Sequence, residues 1–435
     1  MSGLLIAAPA SGSGKTTFTL GLLRASRQKG IAVAPGKAGP DYIDPAFHAA
    51  AAGSACLNFD PWGMRPELLS ANSALHRMGG RMLVVEGMMG LFDGAADGTG
   101  TPADLAALLD LPVLLVVDAS RMSQSVAAVV SGFAHFRADI RVAGVVLNRV
   151  ASERHEGMLR RALDAMRMPV LAVLRNDKSL ALPERHLGLV QAGEHAGLEE
   201  FIESAAAVVS KACDFDLLMR IAQQNLVRPS AANIPRLMPF GQRIAVARDI
   251  AFAFSYEHML LGWRRRGAEI SFFSPLADEA PAADADAIYL PGGYPELHAG
   301  RLAGAQRFLS AMKAAAAAGV RIYGECGGYM VLGDGLVDAD GNRHGMLGLL
   351  PVVTSYQTRQ RHLGYRRVTP LAGSFFDKPM TAHEFHYSTI VSEGEADRLF
   401  TVSDALGVDL GAAGLRRSNV GGSYMHLIDL AGDAA

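Results

Sequence analysis

At 435 residues the chain is long for a single domain and sufficient for two or three. Half of it is hydrophobic, so a large core can form, and 41 basic against 43 acidic residues leave a formal net charge of −2. That balance excludes a global electrostatic pull toward nucleic acid or an anionic membrane, and three widely spaced cysteines exclude a disulfide framework or a zinc cluster.

The first predicted element is the apolar run Leu4 to Ala8, read as a buried strand. No apolar run reaches the roughly 18 residues that a membrane span requires. Met1 to Ala8 is too short and too uncharged for a signal peptide, so a reducing cytoplasm is the expected location. The segment Ala8-Pro-Ala-Ser-Gly-Ser-Gly-Lys-Thr-Thr17 follows, and Phe18 to Lys29 reads as a helix. A strand, a glycine turn, a lysine and a hydroxyl at a helix start form the layout of a phosphate-binding loop. Gly12, Ser13 and Gly14 would present backbone N–H groups to phosphate oxygens. The helix N-terminus adds partial positive charge. Lys15 can reach the outer phosphates, Thr16 can sit on Mg²⁺, and Thr17 completes the motif. Pro9 stands where the usual first glycine would be.

Ile31–Pro35 reads as the second strand, and the turn Gly39-Pro-Asp-Tyr-Ile-Asp-Pro45 comes just after it. Asp41 and Asp44 are placed in a proline-rich turn rather than on a helix face. There they could hold Mg²⁺ or orient a second substrate, with an Asx-stabilised turn as the alternative. Lys37, Asp41 and Tyr42 are assigned to substrate or phosphate, and Asp44 to metal. Met82–Val85, Val113–Val117, Val142–Leu147 and Val170–Leu174 read as further strands, apolar on both faces as a covered parallel sheet requires. Met122–Arg137 and Glu153–Met166 read as helices between them. The strand at Met82 ends in Glu86-Gly-Met-Met-Gly-Leu-Phe-Asp-Gly94, where Glu86 is the stronger metal candidate and Asp93 the weaker. Asn148, at the end of another strand, could offer its amide to a purine edge. The whole half is doubly wound α/β.

Asn225 to Pro239 carries three prolines and no clear periodicity, so it reads as a linker. A second α/β domain restarts at Arg243–Ala247. Within it Val320–Tyr323 reads as a strand that runs into Gly324-Glu-Cys-Gly-Gly-Tyr-Met330. Cys326 then sits on a strand-to-helix elbow, the mechanical layout of an exposed nucleophile. The following helix N-terminus is expected to lower its thiol pKa. The turn Leu290-Pro-Gly-Gly-Tyr-Pro-Glu296 supplies N–H groups that, with Gly327, could form an oxyanion hole from Gly292, Gly293 and Gly327. A cysteine nucleophile needs a base. His426, in Gly421-Gly-Ser-Tyr-Met-His-Leu-Ile-Asp429, is the first candidate, with His383 and His386 as competitors. Cys56 and Cys213 have no such setting.

Together these motifs resemble a known family. The N-terminal half is similar to the dethiobiotin-synthetase-like ATPases, and the C-terminal half to class I glutamine amidotransferases. Their fusion in this order resembles the cobyrinic and hydrogenobyrinic acid a,c-diamide synthases, over essentially the whole chain. The resemblance implies an ATP-binding synthetase domain over 1–224, a linker over 225–242 and a glutamine amidotransferase domain over 243–435. It implies Cys326 and His426 as catalytic residues, ATP with Mg²⁺, glutamine and a corrin ring as ligands, and neither nucleic acid nor membrane as partner. The implied reaction is amidation of the a and c acetate groups through an acyl phosphate and ammonia, in cobalamin biosynthesis. A homodimer is an expectation from size alone. Class I amidotransferases carry an acid two residues after the histidine. Here that position is Ile428, and Asp429, one step on, should point to the opposite face of a strand. The resemblance therefore implies a Cys-His dyad. The alternatives are amidation of another ring, such as nickel sirohydrochlorin, and a regulatory ATPase that binds a partner without catalysis.

Overall fold

Short runs of fully covered aliphatic residues build the N-terminal sheet. In β1 (Gly3–Ala7) Leu4, Leu5 and Ile6 are completely buried, each contributing ~1.5–3 kcal/mol of hydrophobic stabilisation. The computed structural model describes residues 2–177, 180, 184–185, 188–189, 191–195, 197–223 and 234–432. The chain divides into two units, Met1–Ile234 and Pro235–Ala435. Of the expected linker over 225–242, residues 225–233 lie outside the described residues.

The first unit continues through α1 (Lys15–Gln28), β2 (Val33–Ala38), α2 (Asp44–Ala52), β3 (Leu57–Phe59), α3 (Pro66–His76) and β4 (Met82–Glu86). Then come α4 (Pro102–Leu109), β5 (Val113–Asp118), α5 (Val126–His135), β6 (Val142–Val150), α6 (Glu153–Asp164) and β7 (Val170–Arg175). A two-residue ladder, β8 (Glu184–Arg185) with β9 (Gly188–Leu189), and the helices α7 (Leu198–Ala212) and α8 (Phe215–Ala222) complete it. The seven-stranded sheet runs β3-β2-β4-β1-β5-β6-β7 with every pairing parallel. This is the covered parallel sheet that the apolar runs imply.

Two boundaries differ from expectation in ways that matter for the site. The second strand begins at Val33 and passes through Pro35 to Ala38, so Lys37 lies inside a strand and is buried. Pro35 invites a strand end because it has no N–H to give the ladder. Asp44 is not in a turn but opens α2, with Pro45 at an early helical position where its missing N–H costs nothing.

The second unit contains β10 (Arg243–Ala247), α9 (Glu257–Arg265), β11 (Glu269–Phe273), β12 (Ala287–Leu290), α10 (Ala299–Gly304) and α11 (Gln306–Ala317). Next are β13 (Arg321–Glu325), α12 (Gly327–Leu332), β14 (Gly335–Val337), β15 (Arg343–Gly345), β16 (Val352–Ser355) and β17 (His362–Pro370). The chain ends through β18 (Met380–His386), β19 (Thr389–Glu393), β20 (Asp397–Asp404), β21 (Asp409–Arg417), β22 (Val420–Ser423) and β23 (Met425–Leu430). Its main sheet has the order β11-β10-β12-β13-β22-β21-β20-β17-β18-β23. The first five strands are parallel, as an α/β reading requires, and the remainder are antiparallel. Although β23 is the last strand in that order, the Leu427 N–H reaches the Glu325 carboxylate at the end of β13, 3.2 Å away. The antiparallel half therefore curls back toward the parallel core.

Candidate active sites

In the first unit, sheet register alone brings the reactive groups together. β1 lies beside β4, with Ile6 opposite Glu86, and β4 lies beside β2, with Lys37 opposite Glu86. The carboxyl end of β4 thus stands between the phosphate loop and Lys37, at the edge where open α/β sheets bind ligands. Thr16 Oγ1 donates to Glu86 Oε1 at 2.8 Å, and Lys37 Nζ donates to the same oxygen at 2.8 Å. Lys37 also pairs with Asp44. Lys15 Nζ donates to the Met89 carbonyl at 2.6 Å. Asn148 Nδ2 donates to the Ser13 carbonyl at 2.9 Å, so it braces the loop. It sits so close to Gly14 (φ 95°) that a Cβ there would lie 2.1 Å from the amide nitrogen.

Other candidates take supporting positions. Asp41 Oδ1 accepts the Ile43 and Asp44 N–H groups at 2.8 and 3.0 Å, the Asx-type turn that starts α2. Tyr42 is half-buried in that turn. Asp93 Oδ2 accepts the Gly90 N–H at 2.8 Å. Thr17 Oγ1 lies 3.4 Å from the Leu180 carbonyl.

Charge is balanced in this cluster. Burial works against the Lys37 ammonium, but the Asp44 and Glu86 carboxylates outweigh it and hold its pKa well above the ordinary value. Burial also opposes the Glu86 carboxylate, yet Lys37 and His48 keep its pKa below the usual range. Burial and the Asp41 charge push Asp44 up to about 6. Lys15 is lowered, chiefly by burial.

In the second unit the elbow forms as expected. Cys326 stands between β13 and α12 with φ 47° and ψ −105°, a conformation that L-residues adopt only under constraint. Its N–H donates to the Ser423 carbonyl at 2.8 Å, which anchors the elbow to β22. A Cβ added to Gly292 would lie 2.3 Å from His426 Cε1, 3.2 Å from His426 Nε2 and 3.3 Å from Cys326 Cβ. Cys326 Cβ and the His426 imidazole thus both border the bare Gly292 backbone, only glycine leaves that space open, and the Cys326 thiol lies 3.8 Å from the Phe385 carbonyl. A Cβ on Gly327 would lie 3.0 Å from the Gly293 nitrogen, so those two backbones are adjacent beside Cys326. His383 pairs with His426 across β18 and β23. His386 stacks on Tyr424 and bonds Glu384, so neither competitor replaces His426 beside Gly292.

The thiol pKa runs opposite to expectation. Cys326 is 2 % exposed, and burial pushes its pKa well up, reinforced by Glu296. The helix after it has only six residues and cannot offset this. Burial, with His383 and His386 nearby, holds the His426 pKa well below the ordinary value. The resting pair is therefore a neutral thiol and a neutral imidazole.

Comparison with known proteins follows the same division. Residues 4–190 match the CobQ/CobB/MinD/ParA nucleotide binding domain, and residues 243–434 match the CobB/CobQ-like glutamine amidotransferase domain. A protein of Sinorhizobium sp. named hydrogenobyrinate a,c-diamide synthase is 70% identical over 100% of both chains. Relatives of the same name in Rhizobium meliloti (66% identical, 99% of both chains) and Rhodobacter capsulatus (50% identical, 98% of both chains) are similar to it along their length. The chain belongs to the hydrogenobyrinate a,c-diamide synthase family. It is an enzyme, a glutamine-hydrolysing amidotransferase and ligase, and its α/β halves are a P-loop nucleotide domain and an amidotransferase domain. Among the described residues, no helix is long and apolar enough to cross a membrane.

Sequence reasoning missed three side chains in these family sites. His48 Nε2 lies 2.8 Å from Glu86 Oε2. It stands four residues after Asp44 on α2, a spacing that would have revealed it had α2 been recognised. Glu296 closes the Pro-Gly-Gly-Tyr-Pro-Glu turn, and burial raises its pKa to about 7. Glu325, the residue immediately before the nucleophile, is 1 % exposed and reaches His426.

Proposed function

We propose that the chain amidates the a and c acetate carboxylates of hydrogenobyrinic acid, using ATP and glutamine, in cobalamin biosynthesis. The supporting observation is the meeting of Cys326 and His426 across Gly292 in a chain that also gathers Lys15, Thr16, Lys37, Asp44 and Glu86 beside a phosphate loop. The relatives' shared name supplies the substrate.

In this reading His426 takes the Cys326 proton as the sulfur attacks the glutamine carboxamide. Backbone N–H groups of Gly293 and Gly327 receive the developing oxyanion. The C–N bond breaks, the imidazolium returns its proton, and ammonia leaves. Water then cleaves the thioester to glutamate. In the nucleotide unit a ring carboxylate attacks the terminal phosphorus of ATP, giving an acyl phosphate and ADP. Ammonia adds to the acyl carbon, and phosphate departs with the electron pair. Phosphorylation is needed because a carboxylate is a poor electrophile. Lys15 and the loop N–H groups of Gly12–Thr16 hold the phosphates, and Lys37 holds Glu86 and Asp44 in place. Asn148 braces the loop close to the purine end. Asp41 and Tyr42 border the carboxylate substrate.

Thr16, Glu86 and Asp44 form an all-oxygen donor set of the kind Mg²⁺ selects, and the Thr16 hydroxyl already lies 2.8 Å from Glu86. A bound Mg²⁺ would offset phosphate charge. A homodimer in the cytoplasm belongs to the same proposal. The test is to incubate the protein with ATP, Mg²⁺, glutamine and hydrogenobyrinic acid and to follow ring mass. Two successive acid-to-amide mass changes are expected. An unchanged ring with ATP and glutamine still consumed would overturn the substrate assignment and point to a cobalt or nickel ring.

A further inference from the structure

Family resemblance leaves His426 without an orienting acid, because Ile428 occupies the position where one would stand. The structure places a carboxylate beside the imidazole. Glu325 Oε2 lies 3.9 Å from His426 Nδ1, and both side chains are fully enclosed, at 1 % and 0 % exposure. That distance is an ion-pair separation rather than a hydrogen bond, and closing it by about 1 Å would make one. Catalytic hydrogen bonds are commonly long before substrate binds.

Two neighbours hold the Glu325 carboxyl in place. Tyr289, on β12, donates its hydroxyl to Oε2 at 2.6 Å. The Leu427 N–H, from the residue after His426, donates to Oε1 at 3.2 Å. Glu325 therefore touches the strand that carries the base, and it follows from its position at the end of β13 that it moves with the nucleophile. We infer that Glu325 is the positioning residue of the glutaminase site, accepting the His426 Nδ1–H and so leaving Nε2 as the basic nitrogen toward Cys326. This rests on the reading of Cys326 and His426 as nucleophile and base.

Electrostatics agree with this role. Burial pushes Glu325 up to about 8, tempered by the Tyr289 and Leu427 donors. At rest the pair carries little charge. When His426 takes the thiol proton onto Nε2, the Glu325 oxygen that accepts the Nδ1–H stabilises the new imidazolium through that hydrogen bond. Other titratable groups around the pair are Tyr323 and Cys326 from β13 and its elbow, Tyr289 from β12, and His383, Glu384 and His386 from β18.

Glu325→Gln tests this with a defined geometric outcome. The Leu427 N–H requires an acceptor at the Oε1 position, so the new amide NH₂ takes the Oε2 position and donates toward Nδ1. His426 is then held with its proton on Nε2, the wrong tautomer. Glutamine hydrolysis should fall by ~10²–10⁴ in kcat, with KM for glutamine unchanged within about twofold. Ammonia-dependent amidation should be retained, which also reports that the chain has folded. The acid limb of the kcat/KM profile should move to lower pH, because the amide NH₂ now facing Nδ1 opposes the imidazolium Nδ1–H. A purely structural role would scale the profile without moving it. Tyr289→Phe supplies a second reading should the Gln variant not fold. Losing the hydroxyl that competes for Oε2 leaves that oxygen a stronger acceptor for the imidazolium Nδ1–H, and the acid limb should move to higher pH. Glutaminase activity within twofold of wild type in Glu325→Gln, or an unmoved limb in Tyr289→Phe, overturns the inference. Wild-type protein that hydrolyses no glutamine would instead refute the Cys326–His426 reading itself.

Discussion

In the nucleotide unit Lys37 and Glu86 are held charged, whereas in the amidotransferase unit Cys326 and His426 are held neutral. Both units place their chemistry at the carboxyl ends of parallel strands: β1 and β4 in one, β12 and β13 in the other. Lys37 and Glu86 are as enclosed as Cys326 and His426, at 4 % and 1 % exposure against 2 % and 0 %. Burial alone therefore does not decide the charge state. The difference lies in partners. Lys37 has two carboxylates, and Glu86 has an ammonium, a hydroxyl and an imidazole. Cys326 has carboxylates nearby, which oppose a thiolate, and His426 has other histidines, which oppose an imidazolium. A nucleotide-binding site must meet a highly charged ligand and benefits from fixed charges in advance. A thiol–imidazole pair needs charge only during the reaction.

Breaking the charged side of the comparison should have the largest effect. Lys15→Ala should abolish glutamine-dependent and ammonia-dependent amidation together, by ~10³-fold or more, because phosphate charge is left unmet. Glutamine hydrolysis assayed alone should persist. Glu86→Gln should act in the same direction and also lower Tm, since removing one member of a buried pair costs ~3–5 kcal/mol. Thermal unfolding of the two variants separates these effects, as Lys15→Ala should leave Tm nearly unchanged.

Next comes the geometry of the neutral site. Gly292→Ala puts a methyl group 2.3 Å from His426 Cε1 and must displace the imidazole. Glutamine-dependent turnover should fall by ~10²-fold, with ammonia-dependent turnover intact. A loss of both would mean that the two sites are not separable in this way.

The charge state itself is open to measurement. The thiolate absorbance of wild type minus Cys326→Ala should be absent at neutral pH. A thiolate signal at neutral pH would erase the contrast between the units. The smallest expected effect is on stability. The folded-state pKa of Glu325, about 8, lies above the unfolded value of ~4.3. Its contribution is thus fully present below the unfolded value and is lost as pH rises through about 8. Between those limits the wild-type Tm should fall relative to Glu325→Gln by roughly a few degrees. Parallel Tm curves would mean that Glu325 is not so shifted.

Much of both sites was legible because it lies in contiguous motifs. Ala8 to Thr17 and Gly324 to Met330 each state a strand, a turn and a helix within a few residues, and local geometry follows from such runs. Glu86 was legible as the end of an apolar strand. Groups whose role depends on distant contacts were not. Glu325 stands beside Cys326 in sequence, yet its relation to His426 exists only because the antiparallel half of the sheet curls back. No periodicity within β13 or β23 encodes that curl. His48 is hidden in the sequence because the proline-flanked run around Asp44 has the composition of a turn, whereas Asp44 in fact starts α2. The direction of the Cys326 pKa is not legible in sequence, because a helix N-terminus is visible there whereas burial near Glu296, Glu325 and Glu384 is not.

The most direct test of the account is Cys326→Ala, assayed for amidation of hydrogenobyrinic acid with glutamine and then with ammonia. The account predicts no amide from glutamine and wild-type-like amide from ammonia, since the charged site is untouched. Amide formed from glutamine by this variant, or none formed from ammonia while the chain remains folded, would contradict it.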